Sequence, residues 1–304
     1  MLSSVAPAFR CRRFHCLAQR LKATTAGCLV IGDEILNGSV QEANVQPLAA
    51  KLYKRGVPLT TVQVVRDDKC TIMDSLRDMS AKVDHIFTTG GIGSTHDDIT
   101  YEAIAETYNT TLKLDVDTEF LLDKELKRRE KDMTDERRKM CIFPASASVF
   151  RSPLALEQLK YRNEPKKIHS SLSLGKQITS WVPLVAIDKC FIFPGVPHIF
   201  RSMLEDFEDR LPLNENFKMI RKDLYAELPE GDVAKLLGET ENFFRNHEFP
   251  LQIGSYPELI DKDKERYQLR VSLQSLSPEV LQQAQDTLSC AFPFQDTPIA
   301  DPVK

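Results

Sequence analysis

Hydrophobic and polar positions alternate in blocks from Thr25 onward. Ala26 to Ile31 is a short apolar run closed by Gly32, the pattern of a strand buried on both faces. Asn44 to Arg55 carries Val45, Leu48, Ala49 and Leu52 at helical spacing and stops at Gly56, a C-terminal signal. Leu59 to Val65 reads as a second strand, Thr71 to Met79 as a helix and Val83 to Thr89 as a third strand. That strand runs into Gly90-Gly91-Ile92-Gly93, and Ile99 to Tyr108 resumes helical periodicity. Strand, helix, strand, helix, strand, glycine loop, helix implies a parallel sheet with covering helices.

Asp115 to Lys139 reads as one long charged helix with a solvated face. Leu156 to Gln177 is polar, basic and irregular, with a turn signal at Asn163-Glu164-Pro165, and reads as an exposed loop insertion. Val182 to Phe193 returns to strand character, ends in Pro194-Gly195-Val196-Pro197, and precedes a helix through Ile199, Met203, Leu204 and Phe207. After Leu213 the rhythm changes. Met219 to Leu228 is strand-like, Val233 to Phe244 helical, Leu251 to Tyr256 and Tyr267 to Leu273 strand-like, and Val280 to Leu288 helical. This β-α-β-β-α order resembles a ferredoxin-like unit, completed by a final short strand. The expected domains are 25–213 and 214–304, after a leader at 1–24.

Charge divides along the chain. The first 22 residues hold Arg10, Arg12, Arg13, Arg20 and Lys22 and no acid. Removing those five from 40 basic residues leaves 35 against 44 acids, so the rest of the chain sits at −9. The leader is Arg-rich and acid-free, with its apolar residues at helical spacing. Those properties suit a mitochondrial matrix targeting peptide, the alternative being a tail of a cytosolic protein. The acidic body lacks the clustered Lys and Arg that bind polyanions, which argues against nucleic acid as a partner. No run approaches 18 continuous apolar residues, which argues against a membrane span. The seven cysteines include no C-x-x-C pair, and Cys28 and Cys190 sit in apolar runs as small core residues.

Glycine is scarce, 12 in 304 residues, yet three fall within four positions at Gly90, Gly91 and Gly93. Between a strand and a helix, such a loop lets a ligand approach the backbone, and its amides with the helix N-terminus suit a phosphate. Ser94 and Thr95 add hydroxyl donors. The plainer reading is a tight turn followed by a helix-capping Asp98. Asp97 and Asp98 would repel a phosphate unless a cation intervenes, and Mg²⁺ bridging carboxylates and phosphate oxygens is the common solution. Asp33-Glu34 ends the first strand and Asp67-Asp68 the second, so three acidic pairs and the glycine loop meet at one sheet edge. His96 lies in the same loop, where an exposed histidine is the simplest account.

The segment T-T-G-G-I-G-S-T-H-D-D-I-T-Y-E-A, with G-D-E-I-L-N-G at Gly32 to Gly38 and F-P-G-V-P at Phe193 to Pro197, resembles the molybdopterin-binding (MoCF) domain family. Within it, the similarity is greatest to the N-terminal part of eukaryotic FAD synthases and to CinA proteins. Gln252 to Pro257 and Tyr267 to Val271 resemble the same subgroup, so the likeness runs from about Thr25 to Pro293. The fold it implies is α/β, a MoCF-type three-layer domain on a parallel or mixed sheet, followed by a small α+β ferredoxin-like domain. It implies a pterin or nucleotide pocket built by Gly90, Gly91, Gly93, Ser94 and Thr95 with the Pro194-Gly195 loop. Asp33 and Glu34 match the family's G-D-E turn, and Asn44 the polar residue opening the first helix. Asp98 and Asp67 match its acidic positions, and Lys139 a basic one. The implied chemistry is metal-dependent hydrolysis of FAD to FMN and AMP, with Asp98, Asp67 and Lys139 catalytic. Asp98, with Asp97 or Asp67, would hold Mg²⁺, Mn²⁺ or Co²⁺. The alternative is a non-catalytic module holding molybdopterin or a flavin nucleotide, with a regulatory role; adenylyl transfer to molybdopterin ranks below both. A homo-oligomer is compatible with either. Ser94 replaces the subgroup's usual proline. The residues up to Lys304 include neither the adenylyltransferase domain of FAD synthases nor the deamidase domain of CinA proteins, so FAD synthesis is not expected to transfer.

Overall fold

The structure is a computed structural model that describes residues 24–160, 181–215, 217–262, 266–300 and 302. The leader at 1–24, apart from its last residue, lies outside the described residues, as does most of the expected insertion at 156–177. The chain divides into two compact units, 1–215 and 216–304.

The first unit is built on a six-stranded sheet in the order β2-β1-β3-β8-β7-β6, its last two members being β7 at Leu184–Ile187 and β6 at Ser148–Phe150. Its parallel strands are β1 (Ala26–Ile31), β2 (Leu59–Val65), β3 (His85–Thr89) and β8 (Cys190–Phe193). Every residue of β1 is buried, as its unbroken apolar run requires. Helices α2 (Val45–Lys54) and α8 (Pro197–Asp206) cover one face, burying Leu48, Leu52, Phe200, Met203 and Leu204 against Cys28, Val30, Phe87 and Phe193. Helices α3 (Lys69–Ser80) and α4 (Thr100–Thr107) cover the other, burying Ile72, Leu76, Met79 and Ile104 against Leu29, Ile31, Ile86 and Ile192. Each fully buried large apolar side chain contributes about 1.5–3 kcal/mol. The result is a three-layer α/β unit on a mixed sheet. Asp68 caps α3 by accepting from the Thr71 amide at 2.8 Å.

Three sequence expectations change. Asp115 to Lys139 is two helices, α5 (Val116–Arg128) and α6 (Asp135–Lys139). Leu121, Leu122 and Leu126 are buried, but no apolar residue continues that stripe over 127–132. The chain breaks with Glu130 at φ 56°, and Thr134 caps the second helix. Val182 to Phe193 is not one strand. β7 (Leu184–Ile187) turns back on β8 through Asp188 and Lys189, with Asp188 at φ 52°, a two-residue hairpin. The insertion begins in a helix, because α7 spans Pro153–Lys160: Pro153 opens it, the Ser152 hydroxyl accepts from the Ala155 amide, and Ala155 is buried.

Four short elements complete the unit. They are α1 (Asp33–Leu36), the β4 (Leu112–Leu114) and β5 (Ile142–Pro144) ribbon, and the edge strand β6 (Ser148–Phe150). Cys28 and Cys190 are buried as expected, and the five described cysteines are free.

The second unit has a three-stranded antiparallel sheet in the order β10-β11-β9, formed by β9 (Ile220–Ala226), β10 (Gln252–Asp261) and β11 (Arg266–Ser275). Helices α9 (Glu230–Phe243) and α10 (Pro278–Ala291) bury Val233, Leu237, Val280 and Leu288 with Leu224, Leu269, Val271 and Leu273. Gln295 bridges to Tyr225 on the free side of β9, where a ferredoxin-like unit has its fourth strand. No described helix is long and apolar enough to cross a membrane.

Candidate functional site

All four parallel strands point their carboxyl ends to one edge, and each hands the chain to a polar turn there. Strand β1 leads to Asp33 and Glu34, β2 to Asp67, β3 to the glycine loop and β8 to Pro194-Gly195. The turns after β3 and β8 are fastened together by one buried side chain from the connection that follows β1. Asn44 is 4 % exposed, and its Nδ2 donates to the Thr89 hydroxyl at 2.9 Å and to the Gly195 carbonyl at 2.7 Å. The Thr89 hydroxyl in turn donates to the Pro194 carbonyl at 3.0 Å. Asn44 Oδ1 is buried and has no partner, an acceptor that costs stability until something donates to it.

The glycine loop follows at once. Gly90 has φ +104°, a conformation closed to ordinary L-residues, and a Cβ there would stand 2.0 Å from the Ile31 carbonyl oxygen. The loop is anchored by the Gly90 amide on the Phe193 carbonyl (3.2 Å), the Thr100 hydroxyl on the Gly90 carbonyl (3.0 Å) and the Thr100 amide on the Gly91 carbonyl (3.0 Å). Gly195 packs against it: a Cβ there would lie 3.2 Å from Gly90 Cα.

The predicted carboxylates divide into two groups around this loop. Asp67 accepts from the Asp33 amide at 2.8 Å. Burial pushes the Asp67 carboxyl up, that amide opposes the shift, and the charges of Glu34, Asp33 and Asp97 push it further up. Four acids thus share one side of the loop. Among them, Asp33 pairs with Arg66, Nε to Oδ1 at 3.0 Å. Asp97 is exposed, and hydrogen bonding from Thr95 holds its carboxyl below the usual range.

Asp98 belongs to the other group. Its Oδ2 accepts from both the amide (2.8 Å) and the hydroxyl (2.5 Å) of Thr95. It lines a cleft with Gly93, Glu102 and Lys139, walled by Ile92, Tyr101, Leu112 and Ile142. Lys139 reaches in from α6, donating to the Thr95 carbonyl at 3.2 Å and lying 3.5 Å from Glu102 Oε1. Thr95 therefore ties Asp98 to Lys139. Ser94 is half-buried beside it and His96 is exposed.

The expected metal set of Asp98, Asp97 and Asp67 is thus not one tight cluster: Asp97 couples to Asp67 by charge and also accepts from Thr95, the residue that holds Asp98. Among the described residues no group of three or more His, Cys, Asp or Glu side chains is arranged to hold a metal ion. The acids around Asp67 fit a cation that shares its shell with a phosphate-bearing ligand, since Mg²⁺ takes one or two carboxylates in such sites and leaves the rest to phosphate and water.

Sequence reasoning missed Glu102 and Tyr101. Both stand within the quoted glycine-loop segment, four and three residues after Asp98, the spacing that brings side chains to one side of a helix start. It also missed Thr89, whose partner is 105 residues away.

Residues 27–212 match the family profile described as a probable molybdopterin-binding domain, and residues 218–298 match that of the FAD synthase middle domain. A probable FAD synthase of Caenorhabditis elegans is 29 % identical over 272 residues, covering 85 % of this chain. This chain spans 48 % of that protein's length. A CinA-like protein of Citrifermentans bemidjiense is 29 % identical over 178 residues, 59 % of this chain and 38 % of its own. The solved structure of a CinA protein of Thermoplasma acidophilum, described as of unknown function, is similar over 62 % of this chain and 98 % of its own, at 25 % identity and a TM-score of 0.48. The first unit, with its glycine-loop edge, accounts for well over half of the chain, and by that match the chain belongs to the molybdopterin-binding (MoCF) domain family.

Proposed function

We propose that the glycine-loop edge is the active site of a metal-dependent nucleotide diphosphatase that hydrolyses FAD to FMN and AMP. The observation that carries this reading is the Asp67 carboxylate, pushed up by burial and three neighbouring acids, beside a loop whose amides from Gly91 to Ser94 donate to no carbonyl of a described residue. Uncompensated negative charge next to anion-binding amides calls for a cation and a phosphate together. The match to an FAD synthase middle domain, and a relative named as a probable FAD synthase, support a flavin dinucleotide as the ligand.

In this reading the amides from Gly91 to Ser94 hold the diphosphate oxygens. Asp67 and Asp97 hold the metal, with Asp33 and Glu34 deepening the negative field. A bound Mg²⁺, Mn²⁺ or Co²⁺ supplies charge neutralisation and an acidified water. Water adds to one phosphorus and the bridging P–O bond breaks, so each nucleotide leaves with one phosphate, and two protons are released as both monoesters ionise to dianions. Lys139 faces the developing charge from the far side of the loop. Asp98 holds the Thr95 amide and hydroxyl in place, which fixes the shape of the loop.

A second reading, a non-catalytic module that holds molybdopterin or a flavin nucleotide, is favoured by the lack of a three-residue metal cluster among the described residues. An assay of FMN release from FAD with Mg²⁺, Mn²⁺ or Co²⁺ separates the two. Turnover with one of these metals, lost on chelation, is the expected result. Tight FAD binding without turnover would leave only the binding module.

A further inference from the structure

The cleft beside the glycine loop contains a feature that phosphate binding does not use. Tyr101 is 7 % exposed, lines the cleft, and its phenol has no hydrogen-bond partner among the described residues. Its ring is held edge-on to Phe143 with centroids 5.1 Å apart. Burial keeps the phenol protonated, so it offers a donor and an acceptor to whatever enters. The phenol oxygen is not among the sealed, unpartnered polar atoms, so what enters the cleft can reach it. Beside it stands the half-exposed Glu102 carboxylate, which accepts hydrogen bonds but would repel a phosphate. Lys139 joins this corner to the glycine loop, since its ammonium touches both the Thr95 carbonyl and Glu102. Leu112 and Ile142 close the other side with apolar surface.

We propose that this cleft is a subsite for the vicinal diol of a sugar carried next to the diphosphate, a ribose or a ribityl chain. The inference rests on the diphosphatase reading and names the part of the substrate that lies next to the phosphate. Three features fit. A carboxylate is the group that hydrogen-bonds a ribose hydroxyl in dinucleotide sites. Apolar walls suit the carbon face of a sugar. The cleft is small, about 60 Å³, a size compatible with a sugar. Glu102 accepts from one hydroxyl, the Tyr101 phenol bonds the other, and Lys139 turns to the neighbouring phosphate.

Calorimetric titration of the full chain with Mg²⁺ present tests this. One pair of ligands is AMP and 2′,3′-dideoxy-AMP; the other is FMN and its analogue with an unhydroxylated five-carbon phosphate chain. The wild-type chain is expected to prefer the hydroxylated member of one pair by about tenfold, the loss that follows when a buried polar group is left unpaired. The pair showing the preference tells ribose from ribityl. Glu102→Gln and Tyr101→Phe should each reduce that preference to about twofold or less. Tyr101→Phe should do so with an unchanged thermal midpoint, because the phenol has no protein partner to lose. Equal affinities within both pairs, or a preference that survives both substitutions, would overturn the sugar subsite while leaving the diphosphatase reading intact. Absence of binding by all four ligands would overturn the subsite, and together with no FMN release from FAD it would overturn both.

Discussion

Replacing Gly90 with alanine tests the geometry on which the site depends. Two costs add at that position. A non-glycine residue at φ +104° is strained by about 1–3 kcal/mol. The new Cβ also meets the Ile31 carbonyl oxygen at 2.0 Å, and relieving such an overlap inside packed structure costs about 1–3 kcal/mol. That oxygen belongs to the backbone at the end of β1, so it cannot swing away as a side chain would. The sum, about 2–6 kcal/mol, is large against a total stability of about 5–15 kcal/mol. For a unit of this size it lowers the melting temperature by roughly 5–20 °C. Gly38→Ala is the control. Gly38 also has a positive φ, +77°, but nothing lies within 4 Å of the added carbon, so only the strain of about 1 kcal/mol remains. Calorimetric melts of both variants beside the wild-type chain make the comparison. A Gly90→Ala variant that melts with or above Gly38→Ala would refute the packing of the glycine loop onto β1.

Two further substitutions probe the charges. Asp67 has its carboxyl raised on folding, so the stability tied to it is full below the unfolded value and is lost as pH rises through the folded one. Asp67→Asn, which keeps an acceptor for the Asp33 amide, should therefore be more stable than wild type by about 0.5–1 kcal/mol at pH 7 in chelator. That advantage should fade as pH falls toward 4, and the variant should gain nothing from Mn²⁺ with FAD; a lower melting point than wild type at pH 7 in chelator would contradict the charge reading. Asp98→Ala removes two hydrogen bonds from Thr95, costing about 1–2 kcal/mol in denaturant titration, and should lower FMN release at least a hundredfold, roughly the effect of losing one oriented donor group. Near-normal turnover would remove Asp98 from the mechanism.

Much of this architecture was readable before any coordinates. Ala26 to Ile31 is apolar at every position but Gly27, and a six-residue run of that kind between turn residues has few alternatives to a central strand. The amphipathic helices likewise declared themselves through Leu48, Leu52, Ile72 and Leu76, whose spacing only a helix turns to one side. The misreadings arose where local pattern is silent. Charged residues favour helix almost equally on either side of Glu130, so the break there shows only in the missing apolar stripe. Val182 to Phe193 is apolar enough to hide a two-residue turn, because Asp188 and Lys189 resemble ordinary strand punctuation. The acids at the carboxyl ends of β1 and β2 were found by topology, since parallel strands must deliver them to one edge. The tie from Asp98 through Thr95 to Lys139 was not, because Thr95 and Lys139 lie 44 residues apart. The amide of Asn44 joining Thr89 to Gly195 lies beyond any local signal, for its carbonyl partner is 151 residues away.

That joint bears on how this edge can be rebuilt. Asn44, the glycine loop and the Pro194-Gly195 turn come from three distant stretches of chain, and each fills space or a hydrogen bond that another leaves open. Gly195 is small where Gly90 approaches, and Asn44 donates where Thr89 and Gly195 accept. A chimera that imports one of these loops from a relative brings half of a fitted surface and meets the wrong counterpart. The three segments are one heritable block, to be exchanged together or not at all.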